Sequence, residues 1–233
     1  MHSSIRLMLK SGSWIFGNKE WLGALAALAT LGWTVIVYTE ESSARKFEQQ
    51  SKAWAAINEH ATRIEEALPK DAGSSSLDCP RIRHTNTGHV TAIEFLAQQR
   101  VSLSGIGLPC SEFGGIQAAN ANFSGATLSV SNFVTANLQN ADLRHGDFSR
   151  SNFSWANLRG AKLADASFRN AILTDTDFTD AEPEDKGSGL IADFSGACYF
   201  GGGQGTLHRP KGLPASINIS DDCSKKNQEM AKK

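Results

Sequence analysis

The sequence has no excess charge of either sign and no motif that brings chemistry with it. Lysine and arginine number 23 against 24 aspartates and glutamates, a net charge of −1, so direct nucleic-acid binding is not expected. The four cysteines and six histidines form neither a CxxC pair nor a Cys/His cluster with zinc spacing, which leaves a metal site without support. A glycine-rich phosphate loop is missing too: the GGGQG run at 201–205 lacks the lysine, strand and helix that would make it one. The histidines (His2, His60, His84, His89, His145, His208) are scattered, and only His145 falls within the regular part of the chain. These absences argue against an enzyme. No catalytic, cofactor-binding or metal-ligating residues are assigned, and no cofactor is expected.

What the chain does have is a period of five. From Ala121 to Asp180 every block places Leu or Phe at its centre: Phe123, Leu128, Phe133, Leu138, Leu143, Phe148, Phe153, Leu158, Leu163, Phe168, Leu173, Phe178. Two residues earlier stands a small one, as in Ala121, Ala126, Ser131, Ala136, Ala141, Gly146 and Ser151. One large and one small inward position per five match neither a helix at 3.6 nor a strand at 2, so the pattern predicts a solenoid that turns a corner after each short straight piece. Counting back from Phe123 gives Ala118, Phe113, Leu108 and Leu103, with bulkier residues at the small position: Ile116, Ser111, Ile106 and Val101. Such a first coil is wide enough to receive a cap. Forward, the phase breaks after Ala181. Residues 182–191, EPEDKGSGLI, read as an extruded loop, and ADFSG ACYFG resumes at Ala192 displaced by one residue.

The blocks closely resemble the pentapeptide-repeat family, whose signature is A(D/N)LXX with Leu or Phe at the centre. The resemblance implies an all-β solenoid, a right-handed quadrilateral β-helix in which four blocks make one square coil. Residues twenty apart would then stack: Phe113, Phe133, Phe153 and Leu173 along one inner face, Leu108, Leu128, Phe148 and Phe168 along the next. About a dozen such side chains, at roughly 1.5–3 kcal/mol each when buried, make a core rather than a site. His145 would lie beside Asp165 one coil on. With no nucleophile adjacent, that pair reads as a surface contact.

Ahead of the repeat, residues 21–38 (WLGALAALATLGWTVIVY) form an eighteen-residue run without charge, bounded by Lys19 and Glu20 and by Glu40 and Glu41. At 1.5 Å per residue this is about 27 Å of helix, close to a bilayer core of roughly 30 Å. Trp21 and Tyr38 stand at its ends, where interfacial aromatics lie. The run is therefore read as a single transmembrane helix, with a cleaved signal peptide, cut near Ser42 and Ala44, as the rival. Arg6, Lys10 and Lys19 before it equal Arg45, Lys46 and Lys52 after it, and the Glu40, Glu41 pair leans the repeat domain toward the periplasmic side of a bacterial inner membrane.

The remaining divisions are an N-terminal polar segment at 1–20, a juxtamembrane helix at 41–68, a linker at 69–87, a capping helix at 88–100, the repeat at 101–201 and a tail at 202–233. Phe47, Trp54, Ile57, Ala61, Ile64 and Leu68 follow a heptad seam that suits either a short coiled coil, hence a homo-oligomer, or packing against the chain's own body. Trp54 and the string NTGHVTAIEFL also resemble the region ahead of the repeats in membrane-anchored bacterial pentapeptide proteins. In the capping helix, Val90, Ile93 and Leu96 share one side, as a cover for the open first coil requires. Cys79 and Cys110 flank the entry to the solenoid and Cys198 and Cys223 the exit. They are either two disulfides pinning the caps in an oxidising compartment or four thiols in a reducing one.

With chemistry set aside, binding remains. The expectation is a membrane-anchored, non-enzymatic interaction module or scaffold with an unidentified protein partner. The alternative, implied by the resemblance, is a DNA mimic that binds a topoisomerase, as some soluble members bind gyrase. Mimicry needs a strongly acidic surface, yet residues 101–180 carry seven acids against five bases. Acid concentrates in one place: Asp175, Asp177, Asp180, Glu182, Glu184 and Asp185, which read as a solvated loop, as a docking patch for a basic partner, or as a weak calcium site whose spacing fits no EF-hand.

Overall fold

The computed structural model describes residues 19–67, 79, 88–184, 187–200, 209–214, 217, 219–220 and 223, with side chains in the first helix from Thr30 onward. The chain divides into two units, residues 1–50 and 51–233. Two helices precede the repeat, α1 over Lys19–Ala67 and α2 over Gly88–Gln98.

Helix α1 counts 49 residues without an interruption, joining the two pieces read from the sequence as 21–38 and 41–68. Nothing between them breaks a helix. The Thr39, Ser42 and Ser43 hydroxyls donate back to carbonyls of the preceding turn (Ile36, Thr39 and Thr39, 2.7–2.9 Å), and Arg45 pairs with Glu41 one turn earlier. This helix corrects the single-pass membrane assignment. Among the described residues, no helix is long and apolar enough to cross a membrane. The described apolar side chains near its middle, Leu31, Trp33, Val35, Ile36, Val37 and Tyr38, are exposed. The inner-membrane location and the periplasmic lean fall with it.

In the second unit the heptad seam is used within the chain. Ala53, Ile57 and Ile64 are buried and join one apolar cluster with Ile93, Leu96, Leu103 and Leu108, while Trp54 and Ala61 pack against it. Phe47 stays exposed, and Leu68 lies outside the described residues. Helix α2 buries His89, Ala92, Ile93, Leu96 and Ala97, the i, i+3, i+4, i+7, i+8 stripe of a helix with one covered face. It closes in a Schellman motif: the Val101 N–H reaches the Leu96 carbonyl and the Arg100 N–H the Ala97 carbonyl, both at 2.9 Å, with Arg100 left-handed at φ 56°.

That left-handed residue is also the first corner of the solenoid. Every fifth residue from Arg100 to Asp180 has positive φ, between 53° and 71°. In most blocks the N–H after the corner bonds the carbonyl of the central residue (Ala126 to Phe123, 3.0 Å; Ala136 to Phe133, 3.0 Å), which makes such a corner a turn with positive φ at its third residue. Between corners, the residue before the central Leu or Phe bridges in parallel to the one twenty further on, Gly107 to Thr127 through Lys162 to Glu182. Each face thus contributes one bridged residue per coil, and no extended strand forms among the described residues.

The Asn or Asp of the repeat has a local reason. Its side-chain oxygen accepts the N–H two residues on, as in Ser124 to Asn122 (3.0 Å), Ser149 to Asp147 (3.0 Å) and Thr179 to Asp177 (2.9 Å), an Asx turn that leads the chain into the corner. The amides also form rungs between coils, Asn137 to Gln117 (3.2 Å) and Asn157 to Asn137 (3.4 Å). Inside, Phe113, Phe133 and Phe153 stack at 4.9 and 4.7 Å, and Phe148, Phe168 and Phe194 at 5.4 and 5.1 Å. The two ladders meet edge to face, Phe153 on Phe168 at 5.4 Å, the arrangement ring quadrupoles favour. Serines at small positions are satisfied within the wall: the Ser111 N–H donates to Ser131 Oγ and the Ser131 N–H to Ser151 Oγ, both at 3.0 Å.

After Glu182 the twenty-residue register lengthens. Glu184 pairs antiparallel with Ile191, and the next parallel bridges, Ser167 to Asp193 and Ile172 to Cys198, are twenty-six apart. Six inserted residues leave the wall as a hairpin and the coil resumes.

Candidate interaction surface

With the interior filled by packing, function falls to the outward side chains and the two ends. Outward charges are largely paired. Arg144 clamps Asp142 through Nε and Nη2 at 2.8 and 2.6 Å, Arg159 reaches Asp177 (3.5 Å) and Asp180 (3.6 Å), Arg169 faces Asp193 at 3.7 Å, and His145 Nδ1 lies 3.0 Å from Asp165. The Arg144 hydrogen bond holds the Asp142 carboxyl below its ordinary range, against the opposing effect of burial. Burial would raise Asp177, but the Thr179 hydroxyl and N–H with Arg159 bring it below normal. The Ser195 hydroxyl and N–H do the same for Asp193.

The acidic stretch is divided by the fold. Asp177 and Asp180 share Arg159, Asp175 occupies a corner at φ 53°, and Asp185 lies outside the described residues. Glu182 and Glu184 instead belong to a groove of about 510 Å³ beside the hairpin, with Arg144 and Lys162 as its cations and Ala164 in its lining. Small residues let the wall recede there, and two carboxylates and two cations supply hydrogen-bonding groups of both kinds. The outward surface also carries one large apolar residue within the regular repeat: Trp155, 59% exposed, at a corner with φ 59°. Among the described residues no group of three or more His, Cys, Asp or Glu side chains could hold a metal ion.

The cysteines lie in two pairs: Cys79 is bonded to Cys110, 31 residues on, and Cys198 to Cys223, 25 residues on. One crosslink sits at the entry of the solenoid and one at its exit. The sequence reading missed the groove cations Arg144 and Lys162 and the exposed Trp155. Stacking by twenty places Arg144 beside Ala164, and Lys162 beside Asp142 and Glu182, so the groove could have been found by writing the chain four blocks to a line.

The sequence profile described as pentapeptide repeats matches residues 111–150 and 151–182, in eight copies. Residues 111–182 are thus a run of pentapeptide repeats. Solved structures similar to it include a pentapeptide repeat protein of the Arabidopsis thaliana thylakoid lumen, at 26% identity over 42% of this chain and 64% of that one, TM-score 0.38. A second, from the cyanobacterium Cyanothece 51142, gives 19% identity over 47% and 94%, TM-score 0.21. The plasmid-mediated fluoroquinolone resistance protein QnrB1 gives 16% identity over 56% and 69%, TM-score 0.30. This chain thus covers just under two thirds of the length of the Arabidopsis structure. No curated protein matches the chain.

Proposed function

We propose that the chain is a non-enzymatic protein-interaction module, a rigid solenoid that presents the hairpin groove to a partner. The observation that carries this reading is the groove itself: a wall otherwise regular opens beside an inserted hairpin, and Arg144, Lys162, Glu182 and Glu184 gather there. Four charges of both signs around a small-residue lining suit a polar segment of another protein better than a uniformly charged ligand. The DNA-mimic alternative draws no comparable support, because Arg144, Arg159 and Arg169 are interleaved with Asp142, Asp177, Asp180 and Asp193 and break up the negative lattice that mimicry needs.

The test is capture by the immobilised wild-type chain compared with Glu182→Lys/Glu184→Lys. A partner retained by the first and lost by the second supports the groove. Equal capture by both removes it, and inhibition of a supercoiling assay by the wild type would revive the alternative.

A further inference from the structure

Where helix α2 gives way to the first coil, the wall loses hydrogen bonds that it makes elsewhere. In its regular part the N–H of the residue before each central Leu or Phe reaches the carbonyl one coil and one residue back, as from Thr127 to Ile106 (2.8 Å), Asn132 to Ser111 (2.9 Å) and Asp142 to Ala121 (2.9 Å). For Gln117 and Asn122 that acceptor would be Leu96 and Val101, and both belong to the Schellman closure of α2, with the Val101 N–H on the Leu96 carbonyl. The two N–H groups fare differently. Gln117 donates to Glu94 Oε1 at 2.8 Å, so a carboxylate takes the place of the missing carbonyl. The Asn122 side chain is engaged, Oδ1 by the Ser124 N–H and Nδ2 on Ser102 Oγ, both at 3.0 Å, but among the described residues nothing accepts the Asn122 N–H.

Asn122 lines a groove of about 260 Å³ together with Arg100, Val101, Asn120 and Ala121. Arg100 is exposed, and among the described residues its guanidinium has no hydrogen bond or ion pair. Asn120 Oδ1 accepts from Asn140 Nδ2 at 3.4 Å, which leaves Asn120 Nδ2 to donate. Among the described residues no acidic side chain lines the groove. We propose that this groove, separate from the one beside the hairpin, is a carboxylate site: it seats an aspartate or glutamate side chain of a partner protein at the Asn122 N–H, as Glu94 is seated at the Gln117 N–H. A guanidinium and an unmet backbone N–H offer each carboxylate oxygen a donor, and hydrogen bonds to a charged acceptor are the strong kind. The single charge of Arg100 matches a monoanion, whereas a phosphorylated side chain brings roughly −1.5 to −2. The chain entering α2 is held elsewhere, since Cys79 is bonded to Cys110, two corners round the coil from Arg100.

Proton–nitrogen correlation NMR of the full chain, titrated at constant ionic strength with the peptide acetyl-Ala-Glu-Ala-amide, its Gln counterpart and inorganic phosphate, tests this. The Glu peptide is expected to move the Asn122 amide saturably and to leave the central-coil amide of Phe153 where it was, and the Gln peptide to move neither. Arg100→Gln should weaken the Glu peptide roughly fivefold or more. A shift that does not saturate, equal shifts from the two peptides, an unchanged affinity in Arg100→Gln, or tighter binding of phosphate than of the Glu peptide overturns the proposal. Should Arg100→Gln disturb α2, Arg100→Gly, which suits the corner at φ 56°, takes its place with the same expected and overturning results.

Discussion

At the scale of the residue, two positions per block obey composition and a third obeys only the coil. The central Leu or Phe and the small residue before it were legible in the sequence because packing accepts few alternatives there. The left-handed corner was not. Gly, Asn and Asp favour it, and Gly105, Asn120, Asn140 and Gly160 supply them, yet Val130, Thr135, Arg150 and Trp155 take the same φ because inter-coil hydrogen bonds on either side impose it. A β-branched side chain held there stores strain of about 1 kcal/mol or more. Thr135→Asn is therefore expected to raise stability by roughly 0.5–1 kcal/mol in urea unfolding. Gly146 shows the opposite limit. It stands where other blocks have Ala, but a Cβ there would meet Phe148 Cε2 at 2.5 Å and the Leu143 carbonyl at 3.0 Å. Gly146→Ala should lower stability by about 1–3 kcal/mol by the same measurement, although Ala fits its neighbours.

At the scale of the element, the ends of the solenoid are secured differently from its middle. The central coils are held by bridges above and below, whereas the first coil depends on α1, α2 and the Cys79–Cys110 bond. Replacing both cysteines by serine is expected to cost on the order of 3–4 kcal/mol for a loop of this length, read as faster hydrogen exchange confined to α2 and the first coil, with the coils around Phe153 unchanged. The capping helix was legible from Val90, Ile93 and Leu96, since a short apolar stripe before an open coil has one obvious use. The extent of α1 was not. Composition changes sharply after Tyr38, and a change of composition was read as a change of element, but Thr39 to Ser43 form a helix as readily as their neighbours do. The heptad seam was ambiguous for a simpler reason: Ile57 and Ile64 at such spacing serve a second chain or the chain's own first coil equally well, and only the packing distinguishes them.

At the scale of the whole molecule, acid is expected to act through three carboxylates. Asp142, Asp177 and Asp193 have folded-state pKa values below their ordinary range. Depressed carboxyls contribute stability that is fully present above the unfolded value of about 3.9 and is lost as pH falls through the lower folded values. Thermal unfolding of the repeat should thus be little affected by these groups from neutrality down to about pH 4 and should fall below it. Asp142→Asn should flatten that lower transition. The paired charges were only half legible: their number was plain, but which acid meets which base depends on stacking by twenty and, beyond Glu182, by twenty-six. That change of register has a bearing on engineering. A six-residue excursion that closes on the Glu184–Ile191 bridge and returns the chain to its coil, with Phe194 seated on Phe168, marks a graft point where foreign peptides could be displayed from a rigid rod.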